Sequence, residues 1–145
     1  MTVSLKSVAR DVKAEREGEW RESQLFPGVS YKVKSFNDPH FRRARDSFQE
    51  RKQRKFGNKP ADPEWGDSEF GKVIAQHLLV DWSGFDQEFS AELAHEILAD
   101  PQYRDVADDV VAAARNVGDP DLVQAEEDQG NSRRSSSGKS STGQT

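Results

Sequence analysis

Apolar residues are most strongly patterned between Phe70 and Val117, where they predict three helices in succession. Phe70, Val73, Ile74, His77, Leu78 and Trp82 recur at i, i+3 and i+4, the stripe of one buried helix face, and place a helix over about 68–81. A turn-rich insert follows, Asp81-Trp82-Ser83-Gly84-Phe85-Asp86. Ser90 can then accept from an orphan N–H at the start of a short helix over 91–99 that carries Leu93, Ala94, Ile97 and Leu98. Asp100-Pro101 restarts the chain as N-cap and first helical residue. Tyr103, Val106, Val110, Ala113, Ala114 and Val117 line one face of a helix over 101–117, which Gly118 ends in the left-handed region.

Upstream the period changes. Leu5, Val8 and Val12 have helical spacing, so residues 1–17 read as an arm or a short amphipathic helix. From Glu19 the chain alternates: Val29, Tyr31 and Val33 are separated by Ser30 and Lys32, and Pro27-Gly28 occupies the central positions of a type II turn. These features predict a β-hairpin over 18–36, which must pack on helices to be stable. Asn37-Asp38-Pro39 opens a helix over 39–56 that Gly57-Asn58 ends, with Phe41, Ala44, Phe48, Lys52 and Phe56 on its inner face. Lys59 to Gly66, with Pro60 and Pro63, reads as a loop in which Trp65 covers the core edge or a partner. After Gly118 a last turn through Leu122 and Val123 is expected. Residues 129–145 contain no large apolar side chain, so 124–145 reads as a disordered tail. The expected architecture is mainly α (α+β): one globular domain over 18–123, with the hairpin packed on about four helices.

Composition restricts the function classes. Hydrophobic residues make up 33% of the 145 and charged residues 32%, so the core is modest. No run approaches the roughly 18 apolar residues of a membrane span, and residues 1–10 lack the apolar centre of a signal peptide; the expected location is the cytoplasm. Absence of cysteine removes disulfide and thiolate chemistry and most structural zinc sites.

Candidate catalytic motifs each miss a requirement. Gly138-Lys139-Ser140 resembles the end of a phosphate loop, but Arg133 stands where the first glycine belongs. Asp81, Ser83 and Glu92 fall at positions 1, 3 and 12 of a calcium loop, whereas Phe85 and Asp86 occupy positions 5 and 6. His40, His77 and His95 have no two-His spacing on one helix. The residues therefore predict no catalytic site, no cofactor and no metal.

Charge is the stronger signal. Residues 42–59 hold eight Lys/Arg against two Asp/Glu, while 62–128 hold three against eighteen. Such segregation favours association with itself or a partner. Arg42, Arg43, Arg45, Arg51 and Arg54 form a candidate electrostatic interface. A nucleic-acid footprint is one reading of this face, but the acidic remainder of the chain favours an intersubunit or solvated face.

The run from Gly71 to Phe85, followed by Phe89-Ser90, Leu93, Leu98-Ala99-Asp100-Pro101 and Ala112-Ala113-Ala114-Arg115, resembles the tail assembly chaperones of long-tailed bacteriophages and prophages. Pro27-Gly28-Val29, Asp38-Pro39 and the arginine-rich helix are similar to the front half of the same family, so the resemblance spans about 15–118. It implies a non-enzymatic protein of the host bacterial cytoplasm. Such a protein binds the tape measure protein, keeps its helices soluble and helps recruit the tail tube protein, with homo-oligomer packing along the client. A frameshift-extended form would be in keeping with the family. Trp65, Trp82, Phe85 and Phe89 are the candidate partner-binding residues, because loop aromatics are enriched at interface hot spots. The runner-up is a head-to-tail completion or connector protein that stays in the virion; a basic-helix nucleic-acid binder is third.

Overall fold

A computed structural model describes residues 2–120, which divide into two compact units. The smaller comprises Met1–Asp11 with Gly118–Thr145, of which 2–11 and 118–120 are described. It holds a 3-10 turn at Lys6–Val8, an Asp11 N–H bond to the Gly118 carbonyl at 2.8 Å and an Arg10–Asp119 ion pair at 2.6 Å. The expected turn at Leu122 and Val123 and the expected disordered tail over 124–145 lie outside the described residues.

The larger unit, Val12–Val117, is mainly helical with a small antiparallel sheet. Its elements are α1 (Val12–Glu17), β1 (Glu19–Glu22), β2 (Ser30–Val33), α2 (Pro39–Phe56), α3 (Pro63–His77), β3 (Leu79–Ser83), α4 (Ala91–Ala99) and α5 (Arg104–Ala114). The hairpin forms as alternation predicts, with Trp20 opposite Lys32 and Arg21 opposite Tyr31. Its loop turns at Pro27-Gly28, where Gly28 has φ of 83° and Val29 N–H reaches the Phe26 carbonyl at 3.1 Å, a type II geometry.

The sheet has a third strand that periodicity does not predict. The helix expected over 68–81 runs over Pro63–His77 instead, and Leu79–Ser83 pairs antiparallel with β2. Its start moves forward because Pro63 takes the first helical position, as Pro39 and Pro101 do, although the Asp62 side chain makes no cap bond of the kind Asp38 and Asp100 make, so Lys59 to Gly66 is only partly a loop. It ends early because the apolar run Leu78-Leu79-Val80 satisfies either period, and pairing with β2 settles it. Lys32 lies opposite Asp81 and Val33 opposite Leu79, so Val80 is the extra residue of a bulge.

The other helix ends follow their caps. Asp38 accepts from Phe41 N–H at 3.0 Å at the start of α2, and Gly57, with φ of 59°, ends it. Ser90 accepts from Leu93 N–H at 3.0 Å to open α4. The helix expected over 101–117 divides into a 3-10 turn at Pro101–Tyr103 and α5, and its left-handed stop falls first on Asn116, φ 67°, before Gly118.

Tyr31 and Val33 of β2, Leu79 and Trp82 of β3, Phe41 and Phe48 of α2, Ile74 of α3, Leu98 of α4 and Val110 of α5 form one buried cluster. Gly71 in α3 allows the closest helix approach: a Cβ there would overlap the Leu98 carbonyl at the end of α4. Glycine at that position is what lets the two backbones meet.

Candidate functional site

An apolar groove opens where β3, the loop after it, α4 and the start of α5 converge. Its walls are Trp82, Phe85, Leu93, Ile97, Tyr103 and Val106, with Asp86 and Gln87 at the edge, and its volume is about 150 Å³. Small-molecule pockets run to roughly 300–1,000 Å³, so this one suits a protruding side chain rather than a whole ligand.

Local chemistry builds each wall. Trp82 is only 7% exposed and forms the floor; its indole N–H donates to the Gln87 carbonyl at 2.9 Å, which holds the loop against the strand. Phe85 and Phe89 meet the Trp82 ring edge-on, at 5.4 Å and 5.2 Å between centroids. Gly84 (φ 97°) turns the chain where any side chain would overlap the Gly28 carbonyl, so the loop after β3 seats on the hairpin turn. Leu93 and Ile97 project from α4 at i and i+4. Asp100 accepts from Gln102 N–H at 3.0 Å and fixes the 3-10 turn that presents Tyr103, which is 41% exposed.

Electrostatics are one-sided. Residues 81–109, which contain every wall of the groove, hold nine Asp/Glu against Arg104 alone among Lys/Arg. Of these acids Asp109 is buried and committed to internal hydrogen bonds, while Asp86, Glu92 and Glu96 are exposed.

The four aromatics expected to bind a partner do not share one surface. Trp82, Phe85 and Phe89 pack together, but Trp82 is the buried floor rather than an exposed contact, and Phe89 braces it. Trp65 belongs elsewhere: it stacks on Phe48 at 5.7 Å and 18°, and meets Phe56 edge-on at 5.2 Å, joining α2 to α3. Sequence periodicity assigned Leu93, Ile97, Tyr103 and Val106 to core faces; the structure puts them in the groove. A large aromatic two residues after Pro101, at the junction of the two helices, is the signal the sequence offers.

On α2, Arg42, Arg43 and Arg54 are exposed, and Arg45 lies 3.9 Å from Asp46. Arg51 donates to Ser47 Oγ at 3.0 Å and approaches Glu69 of α3 at 3.9 Å, so part of this candidate interface is engaged within the protein. His77, at the end of α3, has its pKa lowered from 6.5, first by burial and then by the nearby Lys34 and His40. Among the described residues no three His, Asp or Glu side chains converge as a metal site.

No curated protein and no solved structure matches the chain. Residues 36–131, which take in α2 through α5 and every wall of the groove, match the profile of the YdaY prophage protein family. Because that match covers most of the chain, the protein belongs to the YdaY prophage protein family.

Proposed function

We propose that this prophage protein is a non-enzymatic tail assembly chaperone, acting in the host cytoplasm, that binds an amphipathic helix of the tape measure protein. The observation that carries this reading is the groove itself: six apolar walls, a volume of about 150 Å³ and Asp86 in its lining, within a segment rich in Asp and Glu. A helix laid in such a groove buries a large side chain between Tyr103 and Ile97 and points its basic residues at Asp86, Glu92 and Glu96, the helix-in-groove mode of recognition. Membership of a prophage family and the resemblance of 15–118 to tail assembly chaperones support the same assignment. Recruitment of the tail tube protein follows as a second partner.

The test is co-expression with the long helical protein encoded in the same prophage, scored by client solubility and co-purification. The client becomes soluble and co-elutes with the wild-type chain, and Ile97→Glu with Tyr103→Glu abolishes both while the chaperone itself remains folded. A client indifferent to the wild-type chain overturns the reading, and recovery of the protein from finished particles favours a virion completion factor instead.

A further inference from the structure

β1 is an edge of the sheet, and its solvent-side face carries Trp20, which is 49% exposed. Natural edge strands are usually blunted with charge or covered; this one is short, but it presents an indole. Its hydrogen-bonding direction follows from the hairpin. Ser23 N–H bonds the Val29 carbonyl at 2.8 Å, and antiparallel ladders alternate bonded and non-bonded pairs. Stepping back two residues at a time, Arg21 and Glu19 point their backbone groups at β2, whereas Trp20 and Glu22 point theirs outward. No described backbone group outside β2 pairs with Trp20 or Glu22.

We propose that β1 is the self-association surface of this protein, pairing antiparallel with β1 of a second copy so that Trp20 lies opposite its counterpart. Two constraints select this register. Side chains on one face must meet side chains on the same face, so within β1 Trp20 can oppose Trp20 or Glu22 of the other copy. Opposing Glu22 would bring the two Arg21 side chains together at the symmetry axis, a like-charge pair. Opposing Trp20 instead sets Arg21 of each copy against Glu19 of the other, giving one aromatic pair on one face of the joined strands and two ion pairs on the other. That arrangement is isologous and closes as a dimer.

The backbone agrees with this register. Trp20 of each copy exchanges N–H and C=O with the other, and Glu22 N–H reaches the Gly18 carbonyl across the axis. The Gly18 N–H, already bonded to Ala14 at 2.9 Å, is not needed. Within one chain Arg21 bonds Glu19 at 2.8 Å and the Asn116 carbonyl at 3.3 Å; dimer formation exchanges the ion pair for an intermolecular one of the same chemistry. β1 and β2 precede the span matched by the family profile, and the surface is separate from the groove, so this inference does not rest on the proposed function.

The experiment is sedimentation equilibrium of the full chain over a range of concentrations. Wild type shows a monomer–dimer equilibrium. Trp20→Glu and Arg21→Glu each weaken dimerisation at least about tenfold, and Glu19→Arg combined with Arg21→Glu restores it, because the cross-strand charge pair is reversed rather than lost. Far-UV circular dichroism checks the fold of each variant. Because the chain has no cysteine, Trp20→Cys adds a readout of register: it forms a disulfide-linked dimer under mild oxidation, whereas Glu22→Cys does not. A wild-type monomer at every concentration overturns the proposal, as does a dimer that survives Trp20→Glu or a double variant that stays monomeric.

Discussion

The Tyr31 hydroxyl donates to Asp109 Oδ2 at 2.7 Å, joining the middle strand of the sheet to α5 across 78 residues of sequence. Asp109 is 2% exposed and also accepts from the Ser23 hydroxyl and, at 3.1 Å, from Gln24 N–H. One buried carboxylate thus ties the hairpin loop, β2 and α5 together. Burial raises the Tyr31 pKa, and the Asp109 hydrogen bond and charge raise it further, so the phenol stays protonated as donor. Ser23 in turn accepts from Leu25 and Phe26 N–H groups, which places the Pro27-Gly28 turn under Gly84 and the groove loop.

Removing members of this cluster should separate by how many partners are orphaned. Tyr31→Phe leaves Asp109 with two donors and should lower stability by about 1.5–3 kcal/mol, the range for a hydrogen bond to a charged group. Asp109→Ala strands the Tyr31 and Ser23 hydroxyls and the Gln24 N–H, and should lower it by roughly 3–5 kcal/mol. Urea unfolding checks both, read as a fall in midpoint at unchanged slope.

Two glycines on α3 should respond oppositely to the same change. Gly66 has open space around its Cβ position, so Gly66→Ala should raise stability by about 0.5–1 kcal/mol through helix propensity. Gly71→Ala must push the methyl against the Leu98 backbone, which cannot swing aside as a side chain does. It should lower stability by about 3 kcal/mol or more, the upper end for overpacking. Thermal melts of the two variants side by side make the comparison.

Trp65 and Tyr103 should divide stability from binding. Trp65→Ala removes the ring stacked on Phe48 and should lower stability by about 3 kcal/mol, with client co-purification retained below its melting temperature. Tyr103→Ala should change stability by less than about 0.5 kcal/mol, as for an exposed site, and reduce client capture. Loss of capture by the Trp65 variant while it is still folded would move the binding surface to the α2–α3 junction.

Stability should also depend on pH through His77. Its folded pKa lies below 6.5, so between those two values the unfolded chain binds a proton that the folded one does not. Stability is therefore fully present above about pH 6.5, declines as pH falls through that window and levels off below the folded value. Lys34 and His40 reinforce the shift and Asp38 opposes it. His77→Gln should flatten this step in the midpoint of urea unfolding measured from pH 7.5 to 5.

Local chemistry determined much of this protein from sequence alone. Asp38-Pro39 and Gly57 bounded α2, Ser90 opened α4, and Pro27-Gly28 set the hairpin turn. Each is a short-range effect: a cap, a fixed φ or a left-handed glycine acts within four residues and needs no partner element. Charge segregation was equally legible, because it is a sum over the chain. Tertiary structure decided the rest. Leu79 to Ser83 satisfied helical spacing as well as strand spacing, and only β2, offering Tyr31 and Val33 from a distant part of the chain, made it a strand. That choice buried Trp82 as a floor, while the break between α4 and α5 turned Ile97 and Tyr103 from expected core into groove wall. Trp65 and Trp82 looked alike in sequence, as bulky aromatics in turn-rich stretches. Their separation arises from long-range pairing, because burial depends on which elements meet and period alone does not say which do.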